Sequence, residues 1–148
     1  MKISPRGIDL IKKCEGFRSR SYLCPSGVPT IGYGHTKGVY LGMACAQTEA
    51  QEWLEEDLAY FSKIVEDHVQ VPLNENQFSA LVSFAFNVGA LNFISSTLLK
   101  LLNQGDYSAV PDQLRRWVFG RDRKTKAKIK LGGLVRRREL EAALWESK

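Results

Sequence analysis

Cysteine and histidine are scarce in this chain of 148 residues, with three of the first and two of the second. An odd cysteine count without a CxxC pair makes no disulfide framework, and His35 and His68 lie too far apart for metal-ligand spacing. Cys14, Cys24 and Cys45 therefore read as three free thiols in a reducing compartment, and neither a metal nor another cofactor is expected. No apolar run approaches the roughly 18 residues of a membrane span, which argues against stable membrane insertion. The N-terminus, MKISPRGIDLIKKCEG, is interrupted by Pro5, Gly7, Asp9 and Lys12 before a signal-peptide core can form, so no Sec exit route is expected. Neither an internal repeat nor a flexible linker is visible.

What is present suits one domain, since a chain of this length can bury about two thirds of its unfolded surface. Composition is that of an ordinary globule, 44% apolar and 25% charged. The net charge of +5 is uneven. Residues 115–148 carry 12 Lys/Arg against 4 Asp/Glu, whereas residues 1–114 carry 9 against 12. A basic patch of this kind favours an anionic polymer or surface, with a solvated face as the plain alternative.

Ile8, Leu10 and Ile11 after Pro5 predict a first helix from Arg6 to Cys14, ended by Gly16. Segment 20–36 alternates Tyr22, Val28, Ile31 and Tyr33 with prolines and glycines, which predicts short twisted strands and a small β lobe. A helix follows from about Thr48 to His68, long enough to join two lobes. Asn74 and Gln77 predict a capping box before QFSALVSFAFNVG, a helix apolar around most of its circumference and ending near Gly89. Further helices are expected over Phe93–Asn103, with Gly105 as a left-handed cap, and over Asp106–Phe119 in two pieces broken at Pro111. Residues 120–131 read as a mobile loop, and Gly132-Gly133 as the lead-in to a last helix ending at Trp145. The fold class is thus α+β: a small N-terminal β lobe and a larger, mainly helical lobe joined by a long helix.

Glu15 falls where a helix C-terminus and partial burial both oppose ionisation, which suits a proton donor; a surface glutamate is the plain alternative. Thr30, at the head of TIGYGH, can hold a water with its hydroxyl or simply face solvent from a strand. Cys24 reads as a packed small residue, a reactive thiolate or an altered form of a base. His35 can act as a base or bridge the hairpin to a helix with one ring nitrogen bonded. Tyr22 and Tyr33 can pack on sugar faces or fill the small lobe, and Trp53 and Trp117 read as core.

Taken together, Glu15-Gly16-Phe17-Arg18, Tyr22, Gly27, Thr30 to Thr36, Gln77 to Gly89, Ser96 to Leu99 and Gly133 to Glu141 closely resemble the phage-type lysozymes, or endolysins, in one order over essentially the whole chain. The resemblance implies a single lysozyme-like domain, 1–148, with a β lobe of about 17–46, a connecting helix of about 48–68, and a helical lobe of about 72–148 packed with the N-terminal helix. It implies a muramidase, a hydrolase of the β-1,4 bond between N-acetylmuramic acid and N-acetylglucosamine in bacterial cell wall. Glu15 matches the family's general acid and Thr30 the threonine that positions water. One arginine among Arg136, Arg137 and Arg138 is expected to approach Glu15, and Tyr33, His35 and Asn87 to give support or substrate contact. The pattern departs at Cys24, where the family has an aspartate nine residues after the glutamate. A thiolate there would still supply negative charge; a neutral thiol would leave a weakened or inactive glycan-binding protein. Nucleic-acid binding through residues 115–138 is the remote alternative and is not expected. Location follows the family: synthesis in the host cytoplasm without a Sec signal, access to peptidoglycan once a holin-type partner has opened the membrane, and action as a monomer.

Overall fold

The computed structural model describes residues 1–122 and 124–148. Helix α1, Pro5–Glu15, begins under Ser4, whose hydroxyl accepts the Gly7 N–H, with Pro5 in the first turn where no N–H is needed. Gly16 ends it at φ +68°. Strand β1, Arg18–Leu23, pairs antiparallel with β2, Pro29–Gly32, in a register that sets Tyr22 opposite Thr30. The segment around Met43–Cys45 lies along the other edge of β1, bonded through Ser21 N to Met43 O and Cys45 N to Ser19 O. Helix α2, Gln47–His68, leaves this small sheet and buries Ala50, Leu54, Leu58 and Val65.

Helix α3, Glu75–Val88, carries the expected capping box, Gln77 N to Asn74 Oδ1 at 2.7 Å and Asn74 N to Gln77 Oε1 at 2.9 Å. Every residue from Phe78 to Ala85 is buried, so α3 is the axis on which α1, α2 and the last helix pack. Phe84 meets Phe93 and Trp117 edge to face, and Tyr107 sits against Trp145.

Five expectations are corrected. The helix over Phe93–Asn103 is two, α4 (Ala90–Ile94) and α5 (Thr97–Asn103). Ser96 separates them, its hydroxyl donating to Phe93 O and accepting from Leu99 N, a local bonding pattern that replaces the helical ladder. Pro111 breaks nothing, because it lies in the first turn of α6 (Val110–Arg115), behind a 3₁₀ turn at Tyr107–Ala109. Helical structure stops at Arg115, and much of 120–131 forms a second hairpin, β3 (Phe119–Arg121) with β4 (Lys128–Lys130). Its turn is tied by Asp122, whose carboxylate accepts from the backbone of Lys124 and Thr125. Gly132 and Gly133 lie inside the first turn of α7, Gly132–Glu146.

Candidate active site

A cleft of about 1660 Å³ runs between the β1–β2 hairpin and the helical part, walled on the far side by Phe119 and Arg121 of β3. That exceeds the roughly 300–1,000 Å³ of a small-molecule pocket and suits a polymer chain. Glu15, Cys24, Thr30, Asn87, Arg136 and Arg137 all line it. Tyr33 and His35 do not. Tyr33 is buried against Phe17 and accepts from Gln47 Nε2, and His35 bridges hairpin to helix, its Nδ1 bonded to Asp57 at 2.8 Å and its ring stacked on Trp53.

Glu15 is the last residue of α1, and its side chain is only 17% exposed. Arg137 of α7 holds it, Nη1 to Glu15 Oε2 at 2.5 Å, which settles which of the three arginines meets the acid. Arg136 is exposed on the cleft wall, and Arg138 is fully buried behind it. The other carboxylate oxygen, Oε1, lies over Gly34; a Cβ on that glycine would come 2.6 Å from it. Only a residue without a side chain lets the hairpin approach so closely, and at φ +75° the backbone also favours glycine.

Behind the acid lies a buried group of charges. Arg137 Nε donates to Glu141 Oε2 at 3.3 Å and Nη2 to the Ser83 carbonyl at 3.2 Å. The Ser83 hydroxyl donates to the same Glu141 oxygen at 2.5 Å. Arg138 Nη2 donates to Asn87 Oδ1 at 2.8 Å, and its Nε lies 2.7 Å from Glu141 Oε1 as an ion pair off the hydrogen-bonding angle. Glu15 and Glu141 thus face Arg137 and Arg138 within one buried group. Burial alone would draw Arg137 down, yet Glu15 and Glu141 hold its guanidinium above the ordinary range. Asn87 therefore serves the cleft by fixing Arg138.

In the β1–β2 hairpin, Cys24 closes a turn through Cys24 N to Val28 O and Gly27 N to Cys24 O. Its Sγ is 2.9 Å from Ser26 Oγ. Burial pushes the thiol up, but hydrogen bonds from the Ser26 side chain, the Val28 and Ser26 backbone and the Thr30 hydroxyl more than offset it, leaving Cys24 below the ordinary thiol range. Cys14 and Cys45 are instead raised by burial. All three are free thiols. Thr30 is buried, and its Oγ1 donates to Val28 O at 2.9 Å. Between the walls, burial and then the charge of Glu15 raise the Tyr22 phenol, which keeps it a neutral donor in the cleft.

The chain's likeness to known proteins agrees with this arrangement. Residues 12–141 match the family model described as phage lysozyme. The chain belongs to the phage lysozyme family. It is 41% identical to the endolysin of Acyrthosiphon pisum secondary endosymbiont phage 1, over 99% of each chain. Among solved structures it resembles the muramidase domain of SpmX from Asticaccaulis excentricus, with a TM-score of 0.88 and 35% identity over 99% of each chain. The endolysin from Escherichia coli O157:H7 phage FAHEc1 gives a TM-score of 0.86 at 32% identity, covering 99% of this chain and 94% of that one. The fold is thus lysozyme-like, and this lysozyme is a peptidoglycan-cleaving enzyme of the cell-lysis type.

Sequence reasoning missed Gly34 as the floor beneath the acid, and the Ser83–Glu141 pair behind Arg137. For Glu141 a signal existed: it stands four residues after Arg137, one helical turn along the same face.

Proposed function

We propose that this lysozyme hydrolyses the β-1,4 bond between N-acetylmuramic acid and N-acetylglucosamine with Glu15 as general acid, Cys24 as a thiolate and Thr30 as the holder of the attacking water. The observation that carries the reading is that two unlike groups line one cleft, an arginine-held carboxylate and a thiol below its ordinary range. Glu15 Oε2 is engaged by Arg137, so Oε1 is the oxygen that carries the proton to the leaving sugar oxygen. As the bond breaks, positive charge grows on the sugar carbon, and the Cys24 thiolate on the far wall opposes it. Thr30 spends its one hydroxyl proton on Val28 or Cys24, which leaves its lone pairs to accept from a water. That water attacks from the Cys24 side and gives its proton to the thiolate; both side chains then re-equilibrate with solvent, and the product is inverted. The whole chain acts as a single domain and a monomer. It is made in the cytoplasm and reaches the wall through a membrane opened by a holin-type protein.

The test is release of reducing ends from purified peptidoglycan, with the ends identified by mass spectrometry. Muramic-acid ends, lost by about 10²–10⁴-fold in Glu15→Gln, are the expected result. Ends of another kind, or a Glu15→Gln protein as active as its parent, would sink the assignment. A second reading rests on Cys24 itself: a lysozyme that holds glycan but turns it over poorly. It would appear as sedimentation with insoluble wall, little release, and recovery of release in Cys24→Asp.

A further inference from the structure

Glu141 is fully buried, touches no part of the cleft, and has no part in the proton transfers above. A carboxylate taken wholly out of water is costly unless every lone pair is used, and replacing such a group with an apolar one is often neutral. Its partners explain its presence here. Oε2 receives Arg137 Nε, the Ser83 hydroxyl and Arg138 Nη2, and Oε1 faces Arg138 Nε. Arg137 is thereby fixed on two sides, by Glu141 on its own helix and by the Ser83 carbonyl on α3, and presents one remaining edge, Nη1, to Glu15.

We infer that Glu141 is a positioning residue for the hydrolysis, acting through Arg137 to fix where the Glu15 carboxylate stands in the cleft. Its charge also settles the electrostatics. With Glu141 neutral, Arg138 would lose the carboxylate it is paired with and Arg137 one of its two, and Arg137 would be free to move toward the cleft. The acid would then follow its partner away from the sugar oxygen. Glu15, Arg137 and Glu141 thus form a relay of position across three helices, α1, α7 and α3, the last through Ser83. The consequence for the reaction rests on Glu15 being the acid; the mechanical link between Glu141 and Arg137 does not.

The experiment compares the full chain with its Glu141→Gln variant. The first readout is the Arg137 Nε–H resonance in a nitrogen-15 spectrum, which in the parent should be sharp and slow to exchange because both faces of the guanidinium are held. In Glu141→Gln it should broaden and exchange quickly. The second is the kcat and KM split on soluble peptidoglycan fragments, where kcat should fall by about 10²-fold with KM little changed, as for a displaced catalytic group. In an Arg137→Gln background the same substitution should cost no further kcat. An unchanged Arg137 resonance overturns the inference whether or not the parent cleaves wall. So does a parental kcat in Glu141→Gln, or an equal further loss in the Arg137→Gln background. Should Glu141→Gln fail to fold, Glu141→Asp keeps the charge but is one methylene short of holding all three partners, and is read by the same criteria. A parent that shows no Glu15-dependent cleavage removes the proposed mechanism and leaves the resonance to judge the link.

Discussion

At the scale of single residues, the site is governed by space around one carboxylate and by charge on one sulfur. Gly34→Ala should displace Glu15, because the new methyl would meet an oxygen that Arg137 prevents from moving aside. Its left-handed backbone adds about 1–2 kcal/mol of strain. We expect a lower melting temperature and a kcat reduced on the order of 10²-fold, read by calorimetry and fragment hydrolysis. Cys24 gives a pH test. Its thiol lies below the ordinary range yet is still a thiol, so its ionised fraction falls as pH falls, whereas an aspartate stays ionised down to about pH 4. Cys24→Asp should therefore raise the rate more at about pH 5 than at about pH 8. An equal gain at both would mean that the thiolate is not the working form.

At the scale of elements, the helices that were easiest to read are those with local signals. Ser4-Pro5 and Asn74 to Gln77 announce α1 and α3 by side chains that bond the first turn, independent of tertiary context. Asn74→Ala should cost about 1 kcal/mol in chemical denaturation, without changing kcat, since the cap is far from the cleft. The second hairpin was illegible because its turn has no glycine pair: Asp122 ties it, and Lys126 takes the left-handed conformation at φ +62°. Helix α7 was legible as an element, but its burial was not. Its buried face includes Arg137, Arg138 and Glu141, so a search for apolar periodicity sees only a charged surface where the molecule has an interior. Motif order alone singled out Glu15, Cys24 and Thr30 and an arginine of the triplet, all of which line the cleft; which arginine meets Glu15, and Ser83 and Glu141 behind it, needed the fold.

At the scale of the whole molecule, the basic segment 115–148 is less of a surface patch than counting suggests. Arg137 and Arg138 are inside, paired with Glu15 and Glu141. The exposed cations that remain include Arg121, Lys124, Lys126, Lys128 and Lys130, on or beside the β3–β4 hairpin at the cleft wall. Attraction between this hairpin and an anionic wall should be screened as salt rises past about 0.1 M. Replacing Lys128 and Lys130 with glutamine should raise KM on whole cell wall at low salt, flatten its salt dependence and leave kcat alone, as measured by turbidity loss.

The Glu15–Arg137 pair joins residues 122 positions apart. A ribosome that has made Glu15 must add 122 more residues before the arginine that holds it exists. Until α7 emerges and docks, a nascent chain carries this carboxylate without its mount. This lysozyme is thereby assembled around Glu15 only after Arg137 has been made, and a chain clipped before Arg137 should release no reducing ends from wall.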